Sequence, residues 1–78
     1  MTLGQRIRQV RKSANLSQQE VARRAGMGAA AAVSRLESDL VDPKASTLQR
    51  VAAALNVPVG WLFVEMTSVE VKSSRVGM

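Results

Sequence analysis

Leu3, Ile7, Val10 and Ala14 recur at i, i+4, i+7 and i+11, an apolar stripe that predicts a helix over about Thr2 to Ala14. Arg6, Arg8, Gln9 and Lys12 take the other faces, whereas Arg11 lies beside the stripe. Asn15 reads as a left-handed stop, with Leu16 plugging the turn. Ser17-Gln18-Gln19-Glu20 reads as a capping box, Ser17 at the N-cap and Glu20 reaching back to its amide. It opens a second helix, residues 17–25, whose narrow buried face is Val21, Ala22 and Ala25. Gly26 ends that helix, and Arg23 and Arg24 near its end suit either the helix dipole or a phosphate. A third helix, residues 29–38, starts in four alanines, the strongest helix formers, and turns Val33 and Leu36 inward with Ala32 or Ala29 beside them. Pro43 makes residues 39–45 a loop. From Ser46 or Thr47 a fourth helix carries the cleanest stripe, Leu48, Val51, Ala52 and Leu55, and Asn56 stops it. Pro58 begins a fifth, Val59 to about Val64, which holds Trp61, Leu62 and Phe63.

The pattern predicts an all-α fold, five short helices on one small core over residues 1–64. The tail, 65–78, changes character. Val69 and Val71 alternate around Glu70 like a strand, and Ser73-Ser74 and Gly77 then read as disordered. A frayed end is the plainer reading; a short strand pairing with a second subunit is the alternative.

Composition narrows the function. Seventy-eight residues make one domain. The chain has neither Cys nor His, hence no usual zinc ligand, no usual neutral-pH base and no thiol nucleophile. Asp39 and Asp42, a close carboxylate pair, fall in what reads as a solvated loop, so an enzyme is not expected, nor a cofactor or metal. No run of 18 apolar residues occurs, and Met1 to Arg6 lack the apolar stretch of a secretory signal, so a cytoplasmic protein without a membrane span is expected. The net charge is +5. Glu65 and Glu70 offset Lys72 and Arg75 in the tail, so all of that charge lies before Val64. A small basic domain suits a polyanion, either nucleic acid or an anionic membrane face. Trp61 and Phe63 are the only aromatics, which argues against stacking on single strands or RNA. The bases are spread over several segments, which argues against a lipid-binding helix.

Leu16-Ser17-Gln18-Gln19-Glu20-Val21-Ala22, Ala25-Gly26, Val33-Ser34-Arg35-Leu36-Glu37, Pro43 and Leu48 through Leu55 occur in an order that resembles the Cro/C1-type helix-turn-helix family. The resemblance covers about residues 3–63 and implies a lambda-repressor-like domain that binds double-stranded DNA at the nucleoid, a transcriptional regulator and repressor acting as a homodimer. By this resemblance helix 17–25 crosses the phosphate backbone and helix 29–38 enters the major groove, about 12 Å wide. Gln18 matches a phosphate-contacting position, Ser34 and Arg35 match base or phosphate contacts, and Ser38 and Lys44 match loop positions that reach phosphate. Arg11 and Glu37 match a partly buried structural ion pair. Trp61, Leu62, Phe63 and Val64 form the expected dimer seam, unless they close the core instead.

Two departures bear on readout. Gly26 to Ser34 is eight steps where the family usually has seven, so the extra residue lies either in the Met27-Gly28 turn or inside the helix. Inside the helix it would rotate what precedes it by about 100°. The other departure is chemical. Ala29, Ala30 and Ala31 stand where the family carries base-reading side chains, with Gly28 beside them on the expected DNA-binding surface, and a methyl offers little beyond contact with a thymine methyl. Binding dominated by phosphates, with readout resting on Ser34, Arg35 and DNA shape, is the expectation. The stretch Val41 to Leu48 looks most like the antitoxin-related branch, so a module that neutralises a partner toxin and binds its own promoter is the alternative function.

Overall fold

A computed structural model describes residues 1–63. They form α1 (Leu3–Ser13), α2 (Gln18–Ala25), α3 (Ala30–Glu37), α4 (Ala45–Leu55) and a 3-10 segment, Val59–Phe63. The class is all-α, with no strand among the described residues. Val64 and the tail, with its strand-or-disorder expectation, lie outside them.

The expected fifth α-helix is instead the 3-10 segment. Trp61 N donates to Pro58 O at 3.0 Å, an i→i+3 bond. At three residues per turn Val59 and Leu62 eclipse, so both meet the core from one side of a five-residue element. Leu62 is 1% exposed.

The helix stops share one device. Asn15, Gly26, Asp39 and Asn56 all take left-handed backbone, with φ of 60°, 70°, 59° and 61°. The residue after each donates its N–H five positions back: Leu16 to Arg11 O, Met27 to Ala22 O, Leu40 to Arg35 O and Val57 to Ala52 O, at 2.8–3.2 Å. This satisfies orphan carbonyls at the helix end. Leu16, Met27 and Val57 then pack on the core, whereas Leu40 stands 74% exposed.

The starts differ more from expectation. Ser17 Oγ accepts from Glu20 N at 3.0 Å, but the Glu20 carboxylate is taken by Arg23 and Arg24, so the box expected there is only half closed. A complete capping box forms at Thr2 and Gln5. α4 begins at Ala45 with Lys44 as N-cap, rather than at Ser46 or Thr47, and the Lys44 carbonyl takes the Leu48 N–H at 3.0 Å. Ala14, expected on the buried stripe, is the exposed C-cap of α1.

α2 packs against α3 and α4, and α1 against α3 and the 3-10 segment. The core is Ile7, Val10, Val21, Ala22, Ala25, Val33, Leu36, Leu48, Val51, Ala52, Ala54, Leu55 and Leu62. α1 and the end of α3 meet so closely that only Gly4 fits: a Cβ there would lie 2.6 Å from Glu37 O and closer still to Leu36 O. Asp39 fastens the same junction, accepting from Gly4 N at 3.0 Å and from Thr2 Oγ1 at 2.5 Å. The expectation of a merely solvated Asp39 is therefore corrected.

Candidate nucleic-acid interface

Four residues, Gly26 to Ala29, separate α2 from α3. Gly26 and Gly28 have φ of +70° and +85°, conformations that cost an L side chain about 1–2 kcal/mol each. Ala29 is the extended N-cap of α3, and from Ala30 to Glu37 the helix is regular. The extra residue therefore sits in the turn, and the alanines keep helical register with Ser34 and Arg35.

That register divides α3 into two faces. Val33, Leu36 and Glu37 are buried. Ala31, Ser34, Arg35 and Ser38 fall at i, i+3, i+4 and i+7 and share the outer face. Ala31, Arg35 and Ser38 are exposed and Ser34 is half-buried; Gly28 and Ala29 are exposed in the turn, and Ala30 is half-buried. Lys44 is exposed at the head of α4. The outer face thus offers two hydroxyls and one guanidinium beside three methyl groups.

Inside this face lies a closed polar network. Arg11 Nε donates to Glu37 Oε2 at 2.6 Å and Arg11 Nη2 donates to Glu37 Oε1 at 3.1 Å, while Arg11 Nη1 donates to Leu16 O at 2.8 Å. Gln18 Nε2 adds a donation to Glu37 Oε1 at 3.1 Å. Gln18 is therefore half-buried and tied to the ion pair, not a loose first-turn residue. The Glu20 amide is capped by Ser17 Oγ, and the Gln18 and Gln19 amides, with no intrahelical acceptor, are left as donors for an anion.

On the opposite flank of α2, Glu20 accepts from Arg23 Nε at 3.4 Å and from Arg23 Nη2, and Arg24 Nε donates to it at 2.8 Å. The Arg23 bond, then the Arg24 bond, hold its carboxyl below the usual carboxylate range, and Glu20 in turn raises the Arg23 guanidinium. Both arginines are thus engaged within α2.

The family profile described as helix-turn-helix matches residues 7–62, most of the chain. The chain belongs to the Cro/C1-type helix-turn-helix family. It is 36% identical over 70 residues to the immunity repressor protein of Bacillus phage phi105, covering 90% of this chain and 48% of the phage protein. The chain thus spans about half the length of that curated relative. No solved structure matches.

In this helix-turn-helix protein the residues expected at a dimer seam divide. Trp61 is 50% exposed and Phe63 is partly buried, while Leu62 belongs to the monomer core and presents nothing to a partner. Consecutive side chains of a 3-10 turn point about 120° apart, which is why only one of the three is swallowed. Arg6 holds Trp61 in place, donating from Nε to its carbonyl at 3.0 Å with the guanidinium carbon 5.9 Å from the ring centroid. Val64 lies outside the described residues. No described helix is long and apolar enough to cross a membrane, and no His, Cys, Asp or Glu group among the described residues could hold a metal ion.

Sequence reasoning left Asp39 in a solvated loop and passed over Arg50. Asp39 was hidden because its partners are 35 and 37 positions away. Arg50 lines a cleft with Arg35 and Lys44; its position beside the apolar stripe of α4 was the available signal.

Proposed function

We propose that the protein is a sequence-guided, double-stranded-DNA-binding transcriptional repressor, with α2 crossing the phosphate backbone and α3 entering the major groove. The observation that carries this is the outer face of α3, where Ala31, Ser34, Arg35 and Ser38 stand clear of the core beside Lys44. The Gln18 side chain and the free Gln18 and Gln19 amides take one phosphate, and Ser38 and Lys44 take others. Arg35 grips a guanine edge, worth about 1–3 kcal/mol of discrimination, and Ser34 adds a hydrogen bond. Gly28, Ala29, Ala30 and Ala31 give shape and methyl contact only, so phosphates supply most of the affinity. The name of the phage relative supports repression in particular.

The protein acts as a twofold dimer on half-sites about 34 Å apart, since one short helix reads too few base pairs to select a site. Trp61 and Phe63 supply the apolar contact of that dimer. No observation favours the alternative of a toxin-neutralising module.

Fluorescence anisotropy on the DNA upstream of its own gene and on a scrambled duplex, across a salt series, tests the reading. Preferential, salt-sensitive binding to the upstream DNA supports it, with a log–log slope near −0.9 per phosphate contacted. Absence of binding to both duplexes would overturn it.

A further inference from the structure

Of the nine Lys and Arg among the described residues, Arg6, Arg11, Arg23 and Arg24 use their side chains to hydrogen-bond within the fold. Five do not: Arg8, Lys12, Arg35, Lys44 and Arg50. Three of those five, Arg35 from α3, Lys44 from the connecting loop and Arg50 from the second turn of α4, converge on one cleft of about 470 Å³. Met27 and Leu36 contribute apolar lining, and Asp42 is the acidic residue on the rim, paired with none of the three cations. Cations gathered without counter-ions raise the local potential and draw a polyanion.

We propose that this cleft seats a backbone phosphate of the duplex and that Arg50 is a DNA contact supplied by α4, a helix otherwise given to the core. Arg35 belongs both to this cleft and to the outer face of α3, so the cleft continues the surface turned toward the duplex. A guanidinium matches the geometry of a phosphate with two parallel N–H donors. A phosphate held here fixes how deeply the end of α3 sits in the groove, and it carries no sequence information. The proposal rests on the DNA-binding reading and adds to it a contact from a third element.

The test compares the protein with Arg50→Gln, Arg50→Lys and Arg8→Gln on the upstream and scrambled duplexes across the salt series, with circular dichroism to verify folding. Arg50→Gln is expected to make the log–log salt slope shallower by about 0.9. It should weaken binding by the same factor on both duplexes. Arg50→Lys is expected to keep the slope and bind less tightly. Arg8→Gln, which removes the same charge from α1 outside the cleft, is expected to leave the slope as it was. An unchanged slope in Arg50→Gln overturns the proposal, as does an equal change in Arg8→Gln, which would make the effect one of net charge. A loss confined to the upstream duplex also overturns it, because that is the signature of base readout. In each of these cases the parent protein still binds and the DNA-binding reading stands. A parent that binds neither duplex defeats both.

Discussion

Replacing Glu37 by glutamine turns one oxygen into an NH2 group at a side chain only 4% exposed, opposite an Arg11 side chain 10% exposed. Oε2 accepts from Arg11 Nε at 2.6 Å, and Oε1 accepts from Arg11 Nη2 and Gln18 Nε2, each at 3.1 Å. Whichever way the amide is turned, its NH2 group meets an N–H donor. Arg11 keeps the Leu16 carbonyl at 2.8 Å but loses its counter-charge. Breaking one side of a buried pair costs about 3–5 kcal/mol. Domains have about 5–15 kcal/mol of stability in total, so this one variant is expected to remove a large part of it. Each kcal/mol moves the melting midpoint of a domain this size by about 4–8 °C, so a fall of more than about 10 °C is expected. Urea and thermal melts followed by circular dichroism read both quantities. The double variant Arg11→Met/Glu37→Leu is expected to regain most of the loss, because apolar residues of similar volume often replace a buried pair at no net cost. A loss below about 1 kcal/mol in Glu37→Gln would refute the reasoning, since that is the range of pairs screened by water.

Gly4→Ala forces a Cβ against the Leu36 and Glu37 carbonyls and is expected to cost about 1–3 kcal/mol in urea melts; an unchanged midpoint contradicts the close approach of α1 and α3. Asp39→Ala strips the acceptor from Gly4 N–H and Thr2 Oγ1 and is expected to cost about 1–3 kcal/mol, with earlier exchange of the Gly4 amide. Glu20 has a folded pKa below its ordinary value, so its pairing with Arg23 and Arg24 steadies α2 above the ordinary carboxylate range and is lost as pH falls through the folded pKa. Carboxyl NMR titration checks the sign, and a Glu20 midpoint at or above the ordinary value is incompatible with it. Arg35→Ala is expected to cost about 1–3 kcal/mol on the upstream duplex and less on the scrambled one. An equal loss on both would remove its base-reading role.

The helices were legible because the apolar stripes run at helical spacing and three of the four stops carry Asn or Gly, the residues that tolerate left-handed backbone. Asp39 was not, since its turn is held by contacts to α1 that no local pattern encodes. Ser17-x-x-Glu20 and Thr2-x-x-Gln5 have the same spacing, yet only the second closes. Two arginines one turn on compete for Glu20, and nothing competes for Gln5. In the candidate site, the outer face of α3 followed from period and position, but the tie between Gln18 and Glu37 needed the packed fold. Arg50 belongs to no motif of the sequence, and only the convergence of α3, the loop and α4 places it beside Arg35 and Lys44.

The central claim, that the outer face of α3 is the surface that meets DNA, is tested most directly by following backbone amides in a 15N-labelled sample as the upstream duplex is added. The largest shifts are expected at Gln18, across residues 28–35, and at Ser38 and Lys44, with Arg50 joining them. Shifts concentrated on Trp61, Phe63 and α1, with α3 unmoved, would contradict the account.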